Sequence, residues 1–170
     1  MKSFKAFLLT VLCATTVGIG GNAAPGDLSG QKIVGTWRLV AYEDHLADGT
    51  VEYPYGKNPV GLLIYDATGH MAIQIMKTPH PEVASGDEEK VTTEEKGPLF
   101  DSYVAYFGKY TVNWASKTVT HIVESDLYAV YVGTSQERPF ELKGDSLTLT
   151  PHWDRDGKTV QGIRAFRRAR

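Results

Sequence analysis

Cysteine is all but missing from this chain: among 170 residues there is one, Cys13. It falls inside an N-terminal segment that reads as a removable export signal. The mature protein then has neither a disulfide nor a thiolate metal site available. Leu12 is not small, so a lipoprotein attachment at Cys13 is excluded. An apolar run of the roughly 20 residues that a spanning helix needs is also missing. The longest stretch, Ala6 to Val17, falls short of it. Gly-x-Ser-x-Gly, His-Glu-x-x-His and a phosphate loop do not occur. The five histidines show no metal-ligand spacing, and no metal or cofactor is implied. Charge is weak as well, with a formal net of −2, which becomes more acidic once Lys2 and Lys5 are removed. That balance does not suggest a nucleic-acid partner.

What is present begins with the signal. Lys2 and Lys5 precede the apolar stretch, and Gly21 and Ala23 are the small residues a signal peptidase requires. The expected organisation is a signal peptide over 1–23, a lead over 24–34 and one domain over 35–168. The mature protein is expected to be secreted or periplasmic, with no stable membrane insertion. A retained anchor is the alternative. The domain is large enough to bury a sizeable core.

The chain then breaks into short β-type runs bounded by turn residues. These are Thr36 to Glu43, Thr50 to Tyr53, Val60 to Tyr65, His70 to Lys77, Tyr106 to Asn113, Val119 to Glu124, Thr134 to Leu142, Ser146 to Thr150 and Val160 to Arg168. Asp66-Ala-Thr-Gly69, Gly144-Asp145 and Asp156-Gly157 mark hairpins. About eight main strands joined by short links imply an all-β fold, an antiparallel up-and-down barrel. His152-Trp153-Asp154 reads as a loop. Thr78 to Gly97 reads as a mobile acidic loop and Pro98 to Ala105 as a short helix. Together they form either a lid over the mouth or a simple insertion. The basic end, Arg164 to Arg170, reads as a solvated strand edge.

Alternation across strands sorts the side chains. Trp37, Leu39 and Ala41 are expected inside, against Arg38, Val40 and Tyr42. Met71, Ile73 and Ile75 face inward from the fourth run. Three consecutive strands then bring Tyr106, Tyr110, His121, Gln136 and Arg138 inward. A buried Arg138 implies a partner. Either a structural hydrogen-bond network crosses a filled barrel, or polar groups orient a small molecule in an apolar cup. Pro139, lacking an N–H, predicts a bulge or an edge beside Arg138. Tyr53-Pro54-Tyr55-Gly56 either lines the mouth or forms a packed corner.

The stretches GTWRLVAYED (Gly35 to Asp44), DGTVEYPYGKNPVGLLIYDATGHMAIQIM (Asp48 to Met76), YVAYFGKYTV (Tyr103 to Val112), TVTHIVES (Thr118 to Ser125) and VGTSQERPFELKGDSLTLT (Val132 to Thr150) together resemble the bacterial and fungal lipocalin-like domain family, a calycin-type barrel. The resemblance implies an eight-stranded barrel with a cavity for a small, largely apolar ligand. The expected lining is Trp37, Leu39, Tyr65, Met71, Ile73, Tyr106, Tyr110, His121, Gln136 and Arg138. It also implies a basic side chain of the last strand against Trp37, either Arg164 or Arg167. The sequence departs from the family pattern at Ala129-Val130-Tyr131, where relatives tend to carry Pro-Asn-Trp, and at Pro139, where a second basic residue is common. The expected function is exported small-molecule binding. The alternative is a cofactor-free isomerase, cyclase or hydrolase acting on a polyketide-like substrate, with His121 as acid/base and Tyr106 or Arg138 stabilising an oxyanion.

Overall fold

The computed structural model describes residues 32–170. The signal peptide, Cys13 and the stretch from Pro25 to Gly30 lie outside the described residues. Ten strands follow one another: β1 Gly35–His45, β2 Val51–Glu52, β3 Val60–Tyr65, β4 His70–Met76, β5 Tyr103–Asn113, β6 Thr118–Asp126, β7 Ser135–Lys143, β8 Ser146–Leu149, β9 His152–Arg155 and β10 Lys158–Arg168. One helix, α1 Thr93–Asp101, interrupts them between β4 and β5. The neighbours run β1-β3-β4-β5-β6-β7-β8-β10, and β10 pairs back onto β1, so eight antiparallel strands close into a barrel. The short β2 and β9 extend the sheet beside β1 and β10.

Up-and-down order gives the barrel two unlike ends. At one end lie the tight turns 66–69, 114–117 and 144–145. Asp66 forms the first of these by accepting from the backbone N–H of Thr68 (2.8 Å) and of His70 (2.9 Å). The long connections all lie at the other end: the β2 excursion, 77–102 with α1, 127–134 and the β9 hairpin. The first end is the floor and the second the mouth.

The floor is built on Trp37, which is fully buried. Its indole N–H donates to the Ile33 carbonyl at 2.9 Å. The Arg168 guanidinium lies 4.1 Å from the ring centroid. The expected stacking therefore exists, but its partner is neither Arg164 nor Arg167. Alternation along β10 puts Val160, Gly162, Arg164, Phe166 and Arg168 on the inner face, while Arg167 points out. In the β1–β10 register Trp37 stands opposite Arg168, whereas Arg164 stands opposite Tyr42. Arg168 also donates from Nη1 to the Val34 carbonyl (2.8 Å) and from Nη2 to the Lys32 carbonyl (2.5 Å). Gly35 is needed under it, since a Cβ there would overlap the Arg168 guanidinium. Far from being a solvated edge, β10 is paired on both sides, by β1 and by β8.

The inward faces of β4, β5, β6, β7 and β8 follow the alternation read from the sequence. In β1 they do not. A register shift between Leu39 and Ala41 inserts one residue, and beyond it Tyr42 and Asp44 turn inward. A second shift follows Phe107, where Gly108 packs so closely on β6 that a Cβ would overlap the Ile122 carbonyl. No shift occurs at Pro139. Pairing with β6 runs to Pro139 and pairing with β8 starts at Phe140, so the missing N–H falls at the hand-over.

Helix α1 begins five residues before the expected Pro98. Thr92 and Glu95 form a capping box, with the Glu95 N–H donating to Thr92 Oγ1 (3.3 Å) and the Thr92 N–H to Glu95 Oε2 (2.8 Å). Pro98 lies inside the helix, and Tyr103 already opens β5. His152-Trp153-Asp154 belongs to β9 rather than to a loop, held by β10 through Trp153 opposite Val160.

Replacing Trp37 by Ala removes the floor and leaves a cavity. The expected loss is roughly 3–5 kcal/mol in chemical denaturation. Near-wild-type stability would mean that the indole does not organise this end of the barrel.

Candidate functional site

The inner wall above the floor is aliphatic on β4, where Met71, Ile73 and Ile75 are buried, and polar on the three strands that follow it, β5, β6 and β7. One row crosses three strands: Tyr110 on β5 pairs with His121 on β6, which pairs with Gln136 on β7. Tyr106 lies four residues nearer the mouth on β5 and Arg138 two residues nearer the floor on β7. Parity thus placed all five correctly on the inner face.

His121 is the centre of this set. It is fully buried, and both ring nitrogens are engaged by tyrosines. The Tyr65 hydroxyl lies 2.7 Å from Nε2, and the Tyr106 hydroxyl 2.9 Å from Nδ1. The Arg138 guanidinium faces the same cluster and adjoins the Tyr106 hydroxyl. It donates from Nη2 to Gln136 Oε1 (3.0 Å) and from Nη1 to the Glu137 carbonyl (3.1 Å). Gln136 in turn donates to Thr134 Oγ1 at 2.9 Å. Burial, reinforced by the Arg138 charge, holds the imidazole pKa down at about 3, so it is neutral at physiological pH. Burial also pushes the hydroxyls of Tyr65 and Tyr106 above the ordinary phenol range.

The sequence-derived set divides by height. Trp37 belongs to the floor, and Met71 and Ile73 to the dry wall. Tyr110 joins floor to wall. Its hydroxyl donates to the Asp66 carbonyl at 2.6 Å, its ring lies 4.6 Å from that of Tyr65, and burial raises its pKa to about 12. Leu39, Tyr106, Gln136 and Arg138 are only half-buried although they point inward, so they bound the accessible part of the interior.

Sequence reasoning missed the upper part of the cup. Tyr42 belongs there, turned inward by the shift in β1. The Arg164 guanidinium lies 3.4 Å from its ring centroid, and Tyr55 packs edge-on against it at 4.7 Å. Arg164 is buried and donates from Nη2 to Asp44 Oδ1 at 2.7 Å, as well as to the Glu43 carbonyl. Asp44, also buried, meets Arg155 at 3.4 Å, and Arg155 reaches Glu52 at 2.6 Å. The Tyr53-Pro54-Tyr55-Gly56 motif was the available signal for Tyr55. At the rim Phe100 of α1 meets Tyr128 edge-on at 4.9 Å, bridging two mouth segments. Two clefts, one of about 450 Å³ beside Pro79, His80 and Pro98 and one of about 650 Å³ at the floor end beside Trp114, Phe140, Leu142 and Arg168, are not lined by Tyr65, Tyr106, His121, Gln136 or Arg138.

The neutral histidine has a consequence for stability. An unfolded chain protonates this imidazole near its ordinary 6.5, whereas the folded one resists until about 3. The unfolded state binds more protons in that window, so stability falls as pH falls, by about 1.4 kcal/mol per pH unit. Urea midpoints of wild type and His121→Gln, compared at pH 7 and 4.5, should show the steeper loss in wild type. Equal slopes would mean that the buried imidazole is not held neutral.

The sequence profile of a lipocalin-like domain matches residues 34–168, almost the whole described chain. A relative in Aspergillus oryzae (strain ATCC 42149 / RIB 40), named 4'-hydroxy-3'-methoxypropiophenone carrier protein ppsC, is 34% identical over 86 residues. That match covers 47% of this chain and 78% of the relative. No solved structure matches. With its closed eight-stranded barrel, the chain belongs to the lipocalin-like domain family.

Proposed function

We propose that this protein is a carrier that holds a small, largely apolar organic molecule inside its barrel, and that it works after export from the cytoplasm. The observation that carries the reading is the contrast within the interior. Trp37, fully buried beneath Arg168, closes the core at one end, while the inward-facing Leu39, Tyr42, Tyr106 and Arg138 are only half-buried. An aliphatic wall on β4 beside a few oriented polar groups is the usual composition of a small-molecule site. The relative's named cargo, a propiophenone, is a flat aromatic ketone of the size and polarity such a cup would suit. Export is supported by the basic start, apolar stretch and small residues of the first 23 positions.

An acid/base role for His121 in a cofactor-free enzyme finds less support. Its two nitrogens are taken by Tyr65 and Tyr106, so it has no free lone pair or N–H to offer a substrate. Any influence on a bound molecule passes through Tyr106.

Two measurements test the carrier reading. Mass spectrometry of the mature protein under native conditions should find a co-purifying apolar small molecule. Titration with an apolar fluorescent probe should show saturable one-to-one binding that Leu39→Trp, by filling the cup, weakens about tenfold or more. A protein that binds no apolar probe and brings down no small molecule would overturn the proposal.

A further inference from the structure

The hydrogen-bond polarity of the Tyr65–His121–Tyr106 chain can be worked out from which groups have a second partner. Tyr65 is completely buried, and among the described residues its hydroxyl is bonded to His121 Nε2 alone. If Nε2 carried the proton, Tyr65 would be the acceptor and its own O–H would be stranded in a dry wall. Tyr65 therefore donates, and Nε2 presents its lone pair. A neutral imidazole has one N–H, so the proton resides on Nδ1 and is donated to the Tyr106 oxygen at 2.9 Å.

Tyr106 is then an acceptor toward His121, and its own proton must leave in another direction. Of the groups around its hydroxyl, the Arg138 guanidinium adjoins it and has donors only, while Tyr42 and Asp126 lie farther off and make no hydrogen bond to it. The tyrosine is half-buried on the inner face, so the direction left for the proton is the accessible cup. Nη1 and Nη2 of Arg138 already hold the Glu137 carbonyl and Gln136 Oε1. This occupies the end-on fork that a carboxylate would grip, and leaves the guanidinium as a nearby positive field.

We infer that Tyr106 is the hydrogen-bond donor to the ligand, its proton committed to the cup by the Tyr65-to-His121-to-Tyr106 relay, and that the subsite it forms with Arg138 takes one neutral, electron-rich oxygen: the carbonyl of an aryl or conjugated ketone. The inference rests on the carrier reading above and names the group by which the cargo is oriented. A ketone fits because its oxygen accepts from one hydroxyl and gains from a neighbouring cation without bringing a full charge into the barrel. The flat body attached to it would lie against the aliphatic β4 wall. Tyr65 has the role of a positioning residue, since it sets the tautomer without reaching the cup.

The test compares propiophenone, n-propylbenzene and 3-phenylpropionate by calorimetric titration of the mature protein. In wild type the ketone should bind about tenfold more tightly than the hydrocarbon, the increment of one hydrogen bond in a dry site. In Tyr106→Phe that ratio should fall to about one. Tyr65→Phe should also reduce it, because Nε2 can then take the proton and Tyr106 turns its own toward Nδ1. A purely structural Tyr65 would leave the ratio unchanged. Independently of any variant, two-bond proton–nitrogen correlation NMR should show His121 protonated at Nδ1. An Nε2-protonated ring, or a carboxylate preferred over the ketone, would overturn the inference. Equal binding of ketone and hydrocarbon would overturn it while leaving the carrier reading intact. Absence of binding by all three would remove both.

Discussion

Arg168 lies over the indole of Trp37 at 4.1 Å, joining the last strand of the barrel to the first. The geometry of everything above depends on that junction. A cation held against an aromatic face is worth roughly 0.5–2 kcal/mol, more where water is excluded. Its larger effect here is on register. With Arg168 opposite Trp37, Phe166 falls opposite Leu39 and Arg164 opposite Tyr42. Closure leaves none of the eight barrel strands with an unpaired edge and buries Trp37 completely.

A second set of charges organises the mouth. Arg164 and Asp44 are both buried, and the pair is accompanied by the Tyr42 ring, Arg155 and the Glu43 carbonyl. Buried ion pairs seldom add much stability over an apolar replacement, because desolvation offsets the attraction. Their geometry, however, is demanding. This one ties β1 to β10 just where the inserted residue of β1 has turned Tyr42 inward. Arg155 extends it to Glu52, so the two accessory strands are held by the same charges as the rim.

Between floor and mouth, the interior is graded in burial, and the proposed ligand site follows that grading. His121 and Tyr65 lie in the sealed part, where the imidazole stays neutral and every polar hydrogen requires a partner. Tyr106 and Arg138 stand at the boundary, reaching the sealed histidine on one side and accessible space on the other. The polarity of the buried half therefore determines which hydrogen the accessible half presents. Were Tyr65 not fully buried, water would satisfy its hydroxyl and the direction of the relay would be lost.

Much of this was legible in the residues. The alternation of Met71, Ile73 and Ile75 against His70, Ala72, Gln74 and Met76 identifies a strand with one apolar face. The same alternation placed Tyr106, Tyr110, His121, Gln136 and Arg138 together before any contact was known. Turn residues such as Asp66 and Gly69 marked the hairpins, and from them the up-and-down order followed. Parity is a local count, and it holds only while no residue is inserted. One extra residue after Leu39 moved Tyr42 from outside to inside, and nothing in Val40-Ala41-Tyr42 announces it. Pro98 misplaces the start of α1, because the helix begins instead at the Thr92-x-x-Glu95 capping box.

What the sequence by itself determined was the architecture and the membership of the polar inner face, because both depend on period-two patterning within a strand. Tertiary structure alone decided the partners. Trp37 and Arg168 are opposed only because the barrel closes, and Tyr65 finds His121 across 56 positions of chain. Which arginine stacks, which tyrosine donates and which faces the cup depend on register between distant strands, and local composition carries no record of that.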